Sequence, residues 1–171
     1  MKNLLKDNPG VKNVYLKVAE GGLYPRPTVV QTVLGSCLGG VFHAPSKGIG
    51  AFFHAFLPRR ADYEPGGAPP VYKYVDTAIE HIIRQFARHG VSPGALRVSL
   101  VGGANGMVDE QNGVGLKNVD AALETLDRLR IRSIFNDVGG ERGRKVFFLS
   151  STGELQIVML SGVEAQLAAG R

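Results

Sequence analysis

The chain has 171 residues, of which 44% are hydrophobic and 20% charged, with a single cysteine and a formal net charge of +5. This length fits one compact domain, and the hydrophobic fraction excludes wholesale disorder. One thiol cannot form an internal disulfide or a cysteine-rich zinc site, and no apolar run approaches the roughly 20 residues of a membrane span. The first ten residues lack the apolar core of a signal peptide, so we expect a cytoplasmic, single-domain protein.

The positive charge is confined to the first half of the chain. Residues 1–90 contain 11 lysines and arginines against 6 aspartates and glutamates, whereas residues 91–171 are balanced. A solvated basic face and a surface for an acidic partner both fit this distribution. The basic residues are scattered and carry no signature of a nucleic-acid-binding fold, so we do not expect nucleic acid as a partner.

The first half of the chain is predicted to contain mainly strands. Apolar alternation and β-branched runs predict strands at residues 14–18, 28–34, 38–42 and 49–57. Glycine and proline predict loops at residues 21–27 and 59–70. Within the strand at 49–57, Phe52, His54 and Phe56 share one face. An apolar stripe from Val71 to Phe86 then predicts an amphipathic helix that Gly90 ends.

The second half is predicted to contain further strands and one more helix. The strands are expected at residues 96–101, 131–138, 145–150 and 155–160, and the helix at 118–129. Residues 102–106 are expected to form a turn beneath or beside the candidate site. Residues 139–145 are expected to form a hairpin with exposed charges, with anion binding as the alternative.

Together these elements predict an α/β fold, a single-domain layered sandwich of mixed or antiparallel β-sheet with two main amphipathic helices. The core is expected to span about residues 11–160, with a C-terminal tail at 161–171.

Cys37 is the first candidate for chemistry. It follows Gly35 and Ser36 at the end of a predicted strand, where small residues allow a substrate to approach the backbone closely. A free cysteine is also among the most frequently buried residues, so a packing role remains open. A thiol nucleophile needs a base, and His54 is one of four histidines that qualify. The pattern alone equally fits His54 as a core residue.

Several short motifs occur in an order that is typical of one family. They are Thr32-Val33-Leu34-Gly35-Ser36-Cys37, Gly48-Ile49-Gly50 with His54 and Leu57-Pro58, Tyr74-Val75-Asp76, Val101-Gly102-Gly103-Ala104 with Met107, Gly115 with Asn118, and Asp137-Val138-Gly139-Gly140 with Gly143-Arg144-Lys145-Val146. Over roughly residues 28–160 they resemble the CheD family of bacterial chemotaxis proteins, which are chemoreceptor glutamine deamidases.

The resemblance implies a Cys-His-Thr site. Cys37 matches the nucleophile, His54 the base and acid, and Thr32 the group that orients the imidazole, although Thr32 also fits a plain strand residue with a satisfied hydroxyl. Gly35, Ser36 and Phe53 are expected at the oxyanion and substrate pocket. No metal and no organic cofactor are implied.

The chain departs from the family pattern in two places. Phe53 stands where the family often has Asn, and Lys117 where Arg is more usual. Neither change replaces a reacting atom, so they bear on rate and specificity rather than on the reaction class.

The implied partners are the cytoplasmic helices of chemoreceptors, as substrate, and a CheC-type phosphatase, without direct membrane insertion. Two alternatives remain: a CheD-like binding module that regulates the phosphatase with little catalysis, and a methylesterase that acts on receptor glutamyl esters.

Overall fold

The computed structural model describes residues 3–106 and 113–161. The elements of this part of the chain are, in order, α1 (Leu4–Asp7), β1 (Lys12–Tyr15), β2 (Glu20–Tyr24), β3 (Thr28–Leu34), β4 (Leu38–Ala44), β5 (Ile49–Ala55), α2 (Val75–Arg88), β6 (Arg97–Gly102), α3 (Val114–Arg128), β7 (Ser133–Val138), β8 (Arg144–Leu149) and β9 (Leu155–Met159). Met107 and the expected C-terminal tail from residue 162 onward lie outside the described residues.

The strands form two sheets. One has five strands in the order β2-β5-β4-β6-β7, and the other has four strands in the order β1-β3-β8-β9. Pairing is parallel between β1 and β3 and between β6 and β7, and antiparallel between the other neighbours. The predicted α/β fold with mixed sheets and two long helices is confirmed. Within the described residues, no helix has the length and hydrophobicity that a membrane span requires.

The five-stranded sheet lies between two different cores. Phe52 of β5 packs with Phe148 in the cluster between the two sheets. Phe53, the next residue of β5, packs with Ile79 of α2 in the cluster that joins the helices to the outer face. Full burial of each such ring contributes roughly 1.5–3 kcal/mol to folding. Because side chains alternate along a strand, His54 faces the space between the sheets, as the sequence pattern predicts.

The long helices are positioned by apolar stripes and by glycines. The helix predicted from Val71 is confirmed as α2, which begins at Val75 and ends at Arg88. Gly90 follows two residues later with a φ of +75°, which suits glycine. Helix α3 begins at Val114, four residues before its predicted start. Its first turn contains Gly115, where a Cβ would lie 2.3 Å from the carbonyl oxygen of Ala104. The glycine lets the helix pack directly on the turn after β6.

The predicted loop at residues 21–27 is wrong, because most of it forms β2. This strand pairs antiparallel with β5, with Glu20 opposite His54. A Cβ at Gly21 would lie 2.8 Å from the ring of Tyr72. The glycine that suggested a turn therefore allows the ring of Tyr72 to pack closely against the strand. The structure also contains α1, a single turn that the sequence pattern does not predict.

Candidate active site

Three polar side chains converge at one end of the two sheets. Thr32 lies in β3 of the four-stranded sheet, and His54 lies in β5 of the five-stranded sheet. Cys37 lies in the turn that joins β3 to β4, so the chain crosses from one sheet to the other at this residue. The three are 1%, 4% and 9% exposed, respectively. Residues from two different sheets, and from the turn between them, thus lie together at one buried location.

A cavity of about 550 Å³ contains both Cys37 and His54. It is lined by Tyr15, Leu16, Lys17, Val18, Val33, Gly35, Ser36, Cys37, His54 and Phe56. Tyr15, Val18 and Phe56 are 43–47% exposed and form its rim, whereas Cys37 and His54 lie at its buried end. The thiol and the imidazole therefore share one cavity rather than opposite faces of the sheet.

The two hydrogen bonds of the Thr32 hydroxyl determine which nitrogen of His54 carries the proton. Thr32 Oγ1 lies 2.7 Å from the carbonyl oxygen of Leu16 and 2.8 Å from His54 Nδ1. A carbonyl oxygen only accepts, so the single hydroxyl proton of Thr32 is donated to Leu16. The N–H at Nδ1 of His54 then donates to Thr32 Oγ1. In the neutral ring this leaves Nε2 unprotonated and able to accept a proton.

Burial favours the neutral forms of both reactive side chains. Desolvation raises the pKa of the Cys37 thiol from 9.0 to about 11, although a hydrogen bond from its own backbone N–H lowers it. Desolvation lowers the pKa of His54 from 6.5 to about 4, while the contact with Leu16 and the charge of Glu20 raise it. At neutral pH the site therefore holds a thiol and a neutral imidazole. A thiolate then forms only as a base accepts the proton.

The turn at residues 35–37, here named the Cys37 turn, is held by its carbonyl groups. The carbonyl of Gly35 accepts from the N–H of Ala104 at 3.0 Å, that of Ser36 from Asn118 Nδ2 at 3.0 Å, and that of Cys37 from the N–H of Gly103 at 2.9 Å. In a trans peptide unit the N–H points opposite to the carbonyl that precedes it. The N–H groups of Ser36 and Cys37 thus point away from these partners, where they can donate to an anion.

Gly102 is required for this arrangement. Its φ is +106°, and a Cβ at this position would lie 2.5 Å from the carbonyl oxygen of Cys37. A side chain here would therefore displace the Cys37 turn. The prediction that residues 102–106 form a turn beside the site is confirmed.

Arg144 holds the segment at Gly102 through its buried guanidinium. It is 3% exposed and donates to the carbonyl oxygens of Gly102, at 3.3 Å, and Gly139, at 2.9 Å, and it forms an ion pair with Asp137 at 3.2 Å. The predicted hairpin at residues 139–145 is wrong, because β7 and β8 lie in different sheets and do not pair with each other. Of its expected exposed charges, Arg144 is buried and Lys145 is exposed. Sequence reasoning missed the buried guanidinium because the adjacent glycines are also typical of exposed turns.

Phe53, expected at the wall of the pocket, lies on the opposite face of β5. Its ring is fully buried toward α2, 6.1 Å from the ring of Phe42. A Cβ at Gly40 would lie 2.2 Å from this ring, so the glycine makes room for it. The alternation of side chains along β5 separates Phe53 from His54. Gly35 and Ser36 do line the cavity.

Within residues 3–106 and 113–161, no three His, Cys, Asp or Glu side chains lie together as metal ligands would. The cavity offers a thiol, an imidazole and backbone N–H groups, which suit acyl transfer through a covalent thioester.

Comparison with known proteins identifies the family. The family model described as CheD chemotactic sensory transduction matches residues 56–159. Two curated relatives are each named probable chemoreceptor glutamine deamidase CheD. The one from Nitratidesulfovibrio vulgaris is 41% identical, over 92% of this chain and 82% of the relative, and the one from Maridesulfovibrio salexigens is 39% identical, over 88% and 93%. A relative from Geobacter sulfurreducens named probable chemoreceptor glutamine deamidase CheD 2 is 38% identical, over 92% of this chain and 96% of its own length.

Among solved structures, a Neisseria meningitidis protein of the DUF152 family aligns with a TM-score of 0.49 at 14% identity, over 93% of this chain and 79% of that one. The family model begins at residue 56, after the three site residues. The alignment with the N. vulgaris relative covers 92% of this chain, so the residues left out at its ends are too few to reach Thr32, Cys37 or His54. On the family match and these relatives, the chain belongs to the CheD family.

Proposed function

We propose that this chain hydrolyses the side-chain amide of specific glutamines in chemoreceptors to give glutamate. Cys37 is the nucleophile, His54 the base and acid, and Thr32 orients the imidazole. The observation that carries this proposal is the 2.8 Å contact between Thr32 Oγ1 and His54 Nδ1, because it leaves Nε2 basic in a residue that lines the same cavity as Cys37. Relatives named chemoreceptor glutamine deamidases support the substrate class.

In the first half of the reaction, the Cys37 sulfur attacks the carboxamide carbon while His54 Nε2 accepts the thiol proton. A bond forms between sulfur and carbon, and the amide oxygen becomes an oxyanion. The N–H groups of Ser36 and Cys37 are placed to donate to that oxygen, and Gly35 leaves space for it. His54 then donates its proton to the departing nitrogen, ammonia leaves, and a thioester remains.

In the second half, His54 takes a proton from water as the water oxygen attacks the thioester carbon. The bond between carbon and sulfur breaks, and the thiol of Cys37 recovers its proton from His54. The product is a glutamate side chain. Every proton transfer is assigned to His54, so the proposed route uses neither a metal ion nor an organic cofactor.

The cavity lining favours a glutamine within a protein over the free amino acid. Free glutamine carries an ammonium and a carboxylate, which need partners of opposite charge when they leave water. Among the described lining residues, Lys17 is the one with a permanent charge, and none is a carboxylate. The rim instead presents the exposed apolar side chains of Tyr15, Val18 and Phe56, which suit contact with a protein surface.

The decisive experiment combines the purified chain with a cytoplasmic chemoreceptor fragment that carries its genetically encoded glutamines. Mass spectrometry should detect the mass increase that follows replacement of an amide nitrogen by oxygen. Cys37→Ala and His54→Ala should each abolish that change, because the first removes the nucleophile and the second its base. His89→Ala is the matched control, since His89 lies at the end of α2 and does not line the cavity. Continued deamidation by folded Cys37→Ala would overturn the proposal.

A methylesterase activity is the second candidate, and one feature of the site favours it. The thioester route handles methanol as a leaving group as well as ammonia, and the lining contains no group that selects for the leaving nitrogen. Release of methanol from a methylated receptor fragment measures this activity. Equal loss of both activities in Cys37→Ala is expected if they share one site.

Family membership also supports a CheC-type phosphatase as a partner, which we propose binds over the cavity. The phosphatase should then slow alkylation of Cys37, the one cysteine of the chain. An unchanged alkylation rate in a complex verified by size-exclusion chromatography would contradict this binding site. An unmodified receptor with a stimulated phosphatase would instead identify the chain as a binding module. The proposed substrate places the protein in the cytoplasm.

A further inference from the structure

Asn118 is a fully buried polar residue of α3 that connects two segments of the site. Its Nδ2 lies 3.0 Å from the carbonyl oxygen of Ser36 and 3.2 Å from that of Phe56. Ser36 immediately precedes Cys37, and Phe56 follows His54 by two residues. One amide group therefore spans the Cys37 turn and the end of the strand that carries His54.

The orientation of the Asn118 amide is fixed by these neighbours. Each hydrogen of Nδ2 has its own carbonyl acceptor, whereas Oδ1 is buried without a partner among the described residues. Rotating the amide by half a turn would place Oδ1 against two carbonyl oxygens. A buried carbonyl without a partner costs folding free energy. The Asn118 side chain thus leaves Oδ1 without a hydrogen bond and directs both hydrogens of Nδ2 at the site.

The bond to Ser36 also determines the direction of the next N–H group. The Ser36–Cys37 peptide unit is planar and trans, so its N–H points opposite to the carbonyl that Asn118 holds. This N–H is one of the two that the proposed mechanism directs at the oxyanion. Accepting a hydrogen bond at the carbonyl polarises the peptide unit and strengthens its N–H as a donor. Asn118 therefore acts on the position of the oxyanion through one peptide unit, without contact with the reacting atoms.

The other two carbonyls of the Cys37 turn accept from backbone N–H groups, which a substitution leaves in place. Within the described residues, Asn118 is the one side chain that bonds to a carbonyl of this turn. We propose that Asn118 is a positioning residue, which fixes the direction of the Cys37 N–H and sets the spacing between the Cys37 turn and the strand of His54. The inference rests on the proposed function for its effect on turnover, but the effect on the thiol is independent of it.

Asn118→Leu tests the inference, because leucine has a similar size and neither donates nor accepts. Alkylation by iodoacetamide reports on Cys37 alone, since the chain has one cysteine. We expect the alkylation rate at pH 9 to fall about tenfold, because a Cys37 turn released from Asn118 moves the thiol away from His54, the base that accepts its proton. With a receptor fragment as substrate, kcat should fall about tenfold or more at an unchanged KM.

Leu126→Ala is the matched control. Leu126 is a buried residue of α3 two turns further on, and its truncation weakens the core without altering the Cys37 turn. Both readouts should equal those of the wild type in this variant.

A faster or unchanged alkylation in folded Asn118→Leu would overturn the inference, because a turn that is merely loosened exposes the thiol. If the leucine variant does not fold, Asn118→Ala is measured against the same expectations. Slower alkylation in an enzyme that never deamidates would preserve this inference and overturn the proposed function.

Discussion

Replacing Thr32 by valine removes the hydroxyl on which the proposed site depends. Valine has nearly the shape of threonine but can neither donate to the carbonyl of Leu16 nor accept from His54 Nδ1, which lie 2.7 and 2.8 Å from Thr32 Oγ1. Thr32 is buried, so solvent does not take over these bonds. Each of the two unpaired buried groups costs about 1–3 kcal/mol, so we expect the free energy of unfolding to fall by about 2–6 kcal/mol.

The same substitution should impair turnover more than binding. Without Thr32 the His54 ring is free to rotate and to carry its proton on Nε2, which disables it as a base. Loss of one orienting hydrogen bond worth roughly 1.4–2.7 kcal/mol in the transition state lowers kcat about 10- to 100-fold. Thr32 does not line the cavity, so KM should change by less than about twofold.

The assay is the initial rate of deamidation of a receptor fragment, measured by mass spectrometry at several substrate concentrations. Chemical denaturation gives the fraction folded, so rates refer to native protein. Thr32→Ser keeps the hydroxyl and loses one methyl group, worth about 0.8 kcal/mol of burial, and should retain kcat within a few-fold. A folded Thr32→Val protein with the wild-type kcat would refute the orienting role of Thr32.

Three further predictions concern the thiol, the imidazole and the turn beneath them. Because burial raises the pKa of Cys37 to about 11, its alkylation rate should rise about tenfold per pH unit from pH 7 to 10, and a plateau near pH 8 would contradict a neutral resting thiol. Burial lowers the pKa of His54 from 6.5 to about 4, so the unfolded chain binds the proton more tightly than the folded chain. The free energy of unfolding that is present above pH 6.5 is therefore lost as the pH falls toward 4. The loss should be on the order of 3 kcal/mol, measured by urea denaturation, and His54→Gln should remove it. Gly102→Ala should destabilise the fold and reduce kcat because its Cβ meets the carbonyl oxygen of Cys37 at 2.5 Å. Gly106→Ala, where φ is also positive but nothing lies within 4 Å, should cost only about 1–3 kcal/mol of stability and leave kcat unchanged, and equal effects on kcat would argue against the clash.

Local patterns predicted the elements well wherever packing and propensity agree. The strand over residues 28–34 has the predicted limits because a β-branched run is bounded by Pro27 and Gly35. The strand β2 was not predictable, since Gly21 and Gly22 are typical of turns. Its pairing with β5 and the ring of Tyr72 on Gly21 are contacts between distant parts of the chain. In this protein glycines often mark close approaches, which a local pattern does not distinguish from turns.

The candidate site was predictable in part for a similar reason. Alternation along β5 placed His54 on the face it occupies, and the family resemblance selected Cys37 and Thr32. The role of the Leu16 carbonyl was not predictable, because a backbone group carries no residue signature. Asn118 offered one signal, a polar residue within the buried stripe of α3. That signal was obscured because the helix was predicted to start at this residue.

The crossing of the chain between the sheets has a consequence for how the protein acquires activity. Cys37 lies at the crossing from β3 to β4, and Leu16 lies just after β1, where the chain leaves the four-stranded sheet for β2. Neither sheet contains the proposed centre by itself, so reacting groups meet only when the two sheets have docked. Because such non-local contacts form late in folding, regained deamidation is a stricter test of the native state than regained strand content. A partly assembled chain would expose its thiol without modifying receptors.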